Sequence, residues 1–181
     1  MTGNNKRAAI LEAAAGIVAA SGAAHLTIDA VARAAALSKG GVLYHFPSKQ
    51  ALLEGMLEGL IEQMTTRIAE YREENANEAN VALIARIVEE HDQSPTQRAM
   101  SRAILAAAAE DPEMLAPARE EVHASFIEAA TGTEPADMGW VLLLAMEGLR
   151  FLEMLKLLPL SASERRRVHT RLVELAKAHS T

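Results

Sequence analysis

The chain has 181 residues, half of them apolar, and a formal net charge of −6. This length and apolar content are enough to bury one large core or two smaller ones, and they exclude a chain that is disordered throughout. Aromatic residues make up only 3%, while alanine, leucine and glutamate dominate, which favours helices over strands. The sequence contains no cysteine, so disulfides and thiolate metal sites are excluded.

The first 74 residues contain start and stop signals for four helices. Gly22 is a natural end for the first helix, and Thr27 and Ser38 are suitable N-caps for two short ones. Pro47 ends the third helix, and Ser48 caps a long fourth. The second and third helices are joined by a short turn, which is a helix-turn-helix pattern. The four helices are predicted over residues 4–20, 28–36, 39–45 and 49–74.

The rest of the chain is also predicted to be helical, with breaks at clusters of Asn, Ser, Thr, Asp and Pro. Pro117 follows Pro112 by five residues, which is too deep for an unbroken helix, so we expect a single turn before the main helix. The sequence therefore predicts an all-α fold of about nine helices, with a three-helix helix-turn-helix domain at residues 1–47 and a helical regulatory domain at residues 48–181. The later helices are predicted over residues 77–92, 95–109, 112–131, 135–158 and 162–179.

The segment from Met138 to Leu158 is apolar over most of its circumference. Its polar residues recur every three positions from Glu147 to Lys156 and form one narrow stripe. Such a helix is buried on more than one side. Either it lies at the centre of a monomer, or its second side packs on a copy of itself across a two-fold axis. We favour a homodimer interface completed by the last helix. The predicted interface residues are Leu144, Glu147, Phe151, Met154, Val168, Leu172 and Leu175.

Charge is distributed unevenly along the chain. The first 50 residues hold five basic and two acidic side chains, a balance of +3, so the remainder carries −9. The overall charge argues against a general nucleic-acid binder. A small basic module on an acidic body can still place its positive face on a polyanion.

The stretch LSKGGVLYHFPSK places two glycines and several hydrogen-bonding side chains in and around the third helix. If this helix enters a DNA major groove, Gly40 and Gly41 each cost about 1 kcal/mol relative to alanine, but they let the backbone approach the sugar and phosphate. Lys39 is the exposed cation best placed for a guanine edge or a phosphate, and Tyr44 and His45 can donate to phosphate oxygens. Taken singly, Tyr44 could instead be a packed aromatic and His45 a surface histidine.

The stretch TIDAVARAAALSKGGVLYHFPSKQALL resembles the N-terminal signature of the TetR family of bacterial transcriptional regulators. That signature has Thr-x-x-x-Val-Ala, a small-residue turn, Ser-Lys-Gly, an aromatic pair, Phe and then Lys at the start of the next helix. The likeness covers residues 7–55. Gly41 stands where many members have threonine, and Leu43 stands where the first aromatic is usual. The resemblance implies DNA contacts, to which we add Gly41 for its bare backbone. The predicted DNA-binding residues are Arg33, Ser38, Lys39, Gly40, Gly41, Tyr44, His45 and Lys49.

The resemblance also implies a sequence-variable helical body that dimerises and binds a small-molecule effector. Helix faces select a set of residues that would line such a pocket, although plain core packing is the alternative for each of them. Methionines give an adaptable wall, and the two histidines are its polar groups. The predicted pocket residues are Met64, Ile87, His91, Met100, Ile104, Met114, His123, Phe126 and Trp140.

An enzyme is the competing class of function. Glu120 and His123 have the i, i+3 spacing of a carboxylate–histidine motif in di-iron helical bundles. Such a site needs a second motif of the same kind, and no other histidine has a glutamate three residues before it. There is also no phosphate-binding glycine loop and no nucleophile elbow. We therefore expect no catalytic residues, no metal and no cofactor.

Together these observations predict a cytoplasmic, dimeric regulator of transcription, more specifically a repressor. Glu12 lies inside the apolar start of the chain and disfavours a signal peptide. Two recognition helices would meet successive major grooves of a palindromic, double-stranded operator. A small molecule would release the protein by favouring another arrangement of the subunits. A ligand-independent DNA-binding protein is the alternative.

Overall fold

The computed structural model describes residues 3–91 and 93–179, apart from the side chains of Gly3, Asn4 and Ala136. All regular structure in these ranges is helical, which confirms the all-α prediction. Two 3₁₀ turns, Ala23–His25 and Pro112–Leu115, interrupt the series, and the second is the predicted single turn before Pro117. The last residue of the predicted helix 77–92 lies outside the described residues. The helices are α1 Gly3–Ser21, α2 Ile28–Ala34, α3 Lys39–His45, α4 Lys49–Glu74, α5 Val81–His91, α6 Pro95–Glu110, α7 Ala116–Thr131, α8 Ala136–Met154 and α9 Ala162–Ala178.

Serine and threonine caps begin several of these helices. The Thr27 hydroxyl accepts a hydrogen bond from the Ala30 amide at 3.1 Å, and Ser48 accepts one from the Ala51 amide at 3.0 Å. Ser94 and Ser161 form full capping boxes, in which the side chain three residues later bonds back to the cap amide. Each cap satisfies backbone donors that the first turn leaves free.

Two helices end earlier than predicted because a residue other than glycine adopts the left-handed conformation. Ala36, with φ of 54°, ends α2 at Ala34, and the Leu37 amide bonds back to the Ala32 carbonyl. Lys156, with φ of 59°, likewise ends α8 four residues short of the prediction. Both ends form the hydrogen-bond pattern that glycine usually completes. Because no glycine stands at either position, sequence signals did not mark these helix ends.

The chain divides into two compact units. The first unit comprises the residues up to Glu62 together with Ser94–Ala118, and the second comprises Gln63–Gln93 together with the residues from Arg119 onward. Helix α4 therefore supplies residues to both. These are units of packing, and the functional boundary after residue 47 stays a prediction. Of the described residues, no helix is long and apolar enough to cross a membrane.

In the first unit, α2 and α3 of the helix-turn-helix share a core with α1, α6 and the start of α4. Helix α1 contributes a stripe of apolar residues at helical spacing, and it packs against both α2 and α6. Helix α2 contributes Val31 and α3 contributes Val42, and both side chains are fully buried. This core fixes α2 and α3 relative to each other. Its largest fully buried side chains are Ile10, Leu26, Leu52, Met56, Val31 and Val42.

The second unit is a bundle in which α5, α8 and α9 pack on one another. Its core also includes Ala129 and Ala130 of α7. Gly139 of α8 lies so close to this helix that a Cβ there would sit 2.0 Å from the Ala130 carbonyl oxygen. Only glycine permits that approach. The remaining core residues are Leu83, Ile84, Ile87, Leu142, Leu143, Met146, Leu172 and Ala176.

Candidate DNA-binding and effector sites

Helix α3 begins at a capped and exposed turn. The Ser38 hydroxyl accepts a hydrogen bond from the Gly41 amide at 3.0 Å. A Cβ at Gly40 would meet nothing within 4 Å, whereas one at Gly41 would lie 3.2 Å from the Ser38 Oγ. The backbone at Gly40 is therefore bare, and the absent side chain at Gly41 leaves room for the cap.

The outward face of α3 carries an aromatic side chain that is almost fully exposed. The Tyr44 side chain is 85% exposed, and its ring meets His45 edge-on with a centroid separation of 5.1 Å. Tyrosine is enriched at interfaces because its ring is apolar and its hydroxyl group is polar. Arg33, Ser38, Lys39 and Lys49 are exposed as well. Most of the predicted DNA-binding side chains are thus accessible to a partner.

Both of these lysines are held by neighbours in the free protein. Lys39 Nζ lies 3.1 Å from Asp29 Oδ2, so the predicted base-contacting cation is tied to α2. Lys49 Nζ donates to the Ala23 carbonyl oxygen at 3.2 Å. No role was predicted for Asp29 from the sequence. Its ten-residue separation from Lys39 gave no signal of the ion pair.

The buried side of α3 is fixed by Val42 and Phe46, which belong to the core of the first unit. The Arg7 guanidinium of α1 lies over the Phe46 ring at 5.3 Å, a cation–π contact, and also pairs with a glutamate of α4. A Cβ at Gly55 would lie 2.7 Å from the Phe46 ring. Arg7 and Gly55 were missed by the sequence analysis, and both support the ring that anchors α3.

The predicted pocket residues fall into two groups. Met100, Ile104 and Met114 are buried in the core of the first unit. The other six lie in the second unit, where Ile87 is fully buried and His123 and Trp140 are exposed. The three half-buried members are Met64, His91 and Phe126.

Two of the half-buried residues, Met64 and Phe126, contact a buried arginine that the sequence analysis did not select. Arg86 of α5 is 7% exposed, and its Cζ lies 4.4 Å from the centroid of the Phe126 ring. Its Nη1 donates to Ser125 Oγ at 2.8 Å and lies 3.9 Å from Met64 Sδ. Its Nη2 is 3.4 Å from the Glu147 carboxylate. Part of the predicted pocket thus surrounds a buried positive charge.

Arg86 belongs to a larger ionic cluster inside the second unit. Arg150 donates to Glu147 at 2.8 Å and lies 3.7 Å from Glu90. Arg67 donates to the buried Glu89 at 2.5 Å. Three guanidinium groups and three carboxylates are therefore collected around α5 in a helical core, where buried charges are seldom found unless paired.

Burial changes the ionisation of this cluster. Desolvation raises the pKa of Glu90 to about 8, despite the attraction of Arg150. Desolvation also lowers the pKa of Arg86. Desolvation acts in the same direction on Arg150, but the attraction of Glu147 and Glu90 outweighs it and raises the pKa of Arg150. At neutral pH the Glu90 carboxyl group therefore holds its proton for most of the time, and the cluster carries a net positive charge.

The predicted interface residues of α8 and α9 are partly exposed. Leu144 is 63% exposed, and Phe151 and Val168 are also on the surface, whereas Met154 and Leu172 are buried in their own chain. Glu147 and Leu175 are half-buried. The surface of α8 also exposes residues outside the predicted set. These are Trp140, Val141 and Leu152, and Leu155 is exposed directly after the helix.

The metal motif considered for an enzyme does not gather further ligands. Glu120 and His123 both lie on the exposed surface of α7. No group of three or more potential metal-ligating side chains occurs within residues 3–91 and 93–179.

A capped, exposed α3 in a helix-turn-helix, followed by a larger helical unit, defines a helix-turn-helix regulator of transcription. A family model described as the tetracyclin repressor-like C-terminal domain matches residues 81–177, more than half of the chain. A second model, described as bacterial regulatory proteins of the tetR family, matches residues 10–56. The chain belongs to the TetR family of DNA-binding regulators.

Solved structures share this fold over nearly the whole chain. A TetR-family transcriptional regulator from Rhodococcus sp. superimposes with a TM-score of 0.75 and 21% identity, covering 96% of this chain and 99% of that one. The multidrug binding protein EbrR, solved with ethidium, gives a TM-score of 0.68 and 24% identity, covering 92% and 98%. At these identities the likeness establishes the fold.

Among curated proteins, similarity is limited to part of the chain. The nucleoid occlusion factor SlmA of Marinomonas sp. (strain MWYL1) is 36% identical over 84 residues, which is 46% of this chain and 40% of that protein. SlmA of Alteromonas mediterranea is 38% identical over 64 residues, 35% and 33% of the two chains. The matched stretch thus spans less than half the length of these relatives.

Proposed function

We propose that this TetR-family regulator is a repressor that binds a palindromic operator as a homodimer and is released by a small molecule. The observation that carries the DNA-binding surface is the exposure of Tyr44 beside Lys39 on the capped helix α3. The remaining proposed contacts are Arg33, Ser38, Gly40, Gly41, His45 and Lys49. Phosphate contacts set the register of the helix, and the few contacts to base edges specify the sequence.

The exposed apolar surface of α8 supports the homodimer. Leu144 and Phe151 are seven residues apart, about two helical turns, so they lie on the same side of α8. Both side chains are exposed. Further apolar residues of the same helix extend this surface. An exposed apolar patch along one helix is best covered by the same patch of a second copy, because a two-fold interface is self-complementary.

The buried polar cluster of the second unit supports control by a small molecule. A core that served only to hold helices together would often be at least as stable with apolar residues at these positions. The multidrug binding protein EbrR, of similar fold, is known in complexes with ethidium, imidazole and malachite green. An effector that binds one arrangement of the subunits better than the other, by 1–3 kcal/mol of coupling, changes operator affinity by roughly 5–150-fold.

Footprinting on the DNA upstream of the coding gene tests this proposal. We expect a protected inverted repeat whose half-sites are centred about one helical turn apart or slightly more. The Tyr44→Ala variant should lose that protection at the same protein concentration. Protection of a single half-site by a monomer, or equal binding to all sequences, would contradict the proposal.

A DNA-binding protein without an effector is the second candidate, and the partial similarity to SlmA is the observation that favours it. The two candidates differ in a simple respect. An effector-controlled repressor releases the footprinted DNA in the presence of some small molecule and derepresses the adjacent gene, whereas a ligand-independent protein holds it under all such conditions. We propose no catalytic activity, and we place the protein in the cytoplasm, where its operator lies.

A further inference from the structure

Arg86 is a buried guanidinium whose hydrogen bonds are incomplete. It offers five N–H donors in a planar fork that matches a carboxylate with two parallel bonds. Its Nε has no hydrogen-bond partner among the described residues, although the side chain is only 7% exposed. The Ser125 hydroxyl takes one donor of Nη1. The edge formed by Nε and Nη2, the edge suited to a carboxylate, therefore carries only the 3.4 Å contact of Nη2 with Glu147.

Among the described residues, the carboxylate in direct contact with Arg86 is that of Glu147, which Arg150 also binds. Glu147 lies 3.4 Å from Arg86 through Oε1, while its other oxygen is bound by Arg150 at 2.8 Å. A charge-assisted hydrogen bond normally has a length of about 2.7–2.9 Å. The contact of Glu147 with Arg86 is thus longer and weaker than its contact with Arg150. A desolvated charge with so little compensation is costly in a helical core.

The surroundings of Arg86 are suited to an apolar molecule. The Phe126 ring stacks against the guanidinium and the Met64 thioether lies beside it. An aromatic face and an adaptable methionine are typical walls of a ligand pocket in which a single charged group fixes the orientation. The site therefore favours a ligand with an apolar body and one anionic group.

The charge of the cluster distinguishes an anion from a cation. Arg67, Arg86 and Arg150 face Glu89, Glu90 and Glu147, and burial keeps the pKa of Glu90 at about 8. With Glu90 protonated at neutral pH, the three arginines exceed the ionised carboxylates by one. An organic cation would add to this excess, whereas a carboxylate would cancel it.

We propose that Arg86 binds the carboxylate of a small apolar acid, so that the effector class of this regulator is the organic carboxylates. The inference rests on the effector response proposed above and specifies its chemistry. The ligand carboxylate takes Nε and Nη2 of Arg86, and its apolar part lies along Phe126 and Met64.

Matched probes on two apolar bodies test the charge of the ligand. Octanoate, octanamide and octylamine share one body, and 3-phenylpropanoate, 3-phenylpropanamide and 3-phenylpropylamine share the other. Calorimetric titration of the full chain at pH 7 should give saturable binding of at least one carboxylate, with the matching amide and amine at least tenfold weaker. Equal binding of acid and amide, preference for an amine, or no saturable binding of either acid would overturn the proposal.

Two substitutions with opposite expected effects test the role of Arg86. Arg86→Lys keeps the charge but removes the planar fork, so carboxylate affinity should fall tenfold or more. Glu147→Gln removes the competing carboxylate and should raise the affinity several-fold. Arg171→Lys, an exposed exchange on α9, is the matched control and should change nothing. If Arg86→Lys does not fold, Glu147→Gln decides alone, and unchanged or weaker acid binding in that variant would contradict the assignment.

Operator binding in the same samples separates this inference from the proposed function. If an amine releases the DNA and neither acid does, effector control stands and the carboxylate assignment fails. If an acid binds through Arg86 and the DNA stays bound, the assignment stands and effector control fails. Release of DNA by the acid, lost in Arg86→Lys, supports both.

Discussion

At the scale of single residues, both candidate sites contain a basic side chain that already forms an ion pair within the free protein. Lys39 is paired with Asp29 on the surface, and Arg86 shares Glu147 in the interior of the second unit. The surface pair is screened by water and contributes little to stability, whereas the interior pair is desolvated and sensitive to any change of charge. In the proposed function, the same kind of contact would affect DNA affinity in one unit and effector binding in the other.

Removing the carboxylate of Asp29 should strengthen DNA binding. In the free protein this carboxylate holds the Lys39 ammonium at 3.1 Å and also repels the phosphates that approach α3. Asp29→Asn releases the cation, and the affinity for all DNA sequences should rise by up to about fivefold, in line with an exposed pair worth roughly 0.2–1 kcal/mol. Fluorescence anisotropy with labelled DNA between 50 and 200 mM salt measures the change.

The control for Asp29→Asn is Glu174→Gln, which removes the carboxylate of an exposed ion pair on α9. This variant should bind DNA as the parent chain does. Unchanged affinity in Asp29→Asn would mean that Lys39 does not approach the DNA.

Glu90 should make the stability of the protein depend on pH. Its folded pKa of about 8 lies above the ordinary value of 4.5 because burial outweighs the attraction of Arg150 and Arg86, and Glu147 and Glu89 add repulsion. The folded state therefore holds a proton that the unfolded state releases. Its contribution is complete below about pH 4.5 and is lost as the pH rises through 8, at up to about 1.4 kcal/mol per pH unit.

Urea unfolding at pH 6 and pH 9 measures this effect. The parent chain should have the lower unfolding free energy at pH 9, and Glu90→Gln, which stays neutral, should remove much of the difference. Glu174→Gln makes the same exchange on the exposed surface and should leave the pH dependence of the parent chain in place. An equal pH dependence in Glu90→Gln and the parent chain would show that the Glu90 carboxyl group is not the source.

At the scale of helices, local chemistry explains what the sequence could predict. The caps at Thr27, Ser38 and Ser48 act within three residues, so the starts of α2, α3 and α4 were predicted correctly. The ends at Ala36 and Lys156 were missed because no glycine marks their left-handed turns.

Contacts between helices were beyond the reach of sequence patterns. Arg86 stands between apolar residues of α5, and its partners Ser125 and Glu147 lie 39 and 61 residues further along the chain. Periodicity shows which face of one helix is apolar, but it does not show which charges of three helices meet. The outward face of α3 needed no such information, because exposure and cap chemistry are local properties.

The turn between α2 and α3 should become more stable with glycine at its left-handed residue. Ala36 has φ of 54°, a conformation that costs an L-residue roughly 1–2 kcal/mol and glycine nothing. Part of that gain is offset by the greater freedom of glycine in the unfolded chain, so Ala36→Gly should stabilise by about 0.5–1 kcal/mol. Urea unfolding of the full chain measures the change.

Ala34→Gly is the matched control, because this residue lies in the last turn of α2 with helical geometry. The same exchange there should destabilise by about 0.5–1 kcal/mol. Destabilisation by both variants would mean that residue 36 is not left-handed in solution. A helix-turn-helix with a longer α2 would then be the alternative.

At the scale of the whole molecule, the proposed dimer would link the two candidate sites. A single recognition helix reads only a few base pairs, and two helices gain specificity only when their separation matches the half-sites of the operator. The apolar surface of α8 is the feature of the described chain that can set this separation. An effector in the second unit acts on DNA affinity only if it changes that arrangement.

Charges on the surface of α8 should therefore separate the subunits. Leu144 is 63% exposed and Phe151 is also on the surface, so Leu144→Lys with Phe151→Glu leaves the core of the second unit in place. In a two-fold interface each charge would be buried against the same helix of the partner, where an unpaired charge is costly. We expect a monomer in sedimentation equilibrium and loss of operator binding with retention of helical circular dichroism. The control is Ile127→Lys on α7, which places a charge on an equally open apolar residue and should remain dimeric. A double variant of α8 that still sediments as a dimer would move the interface to another surface, and with it the explanation of how the two recognition helices are spaced.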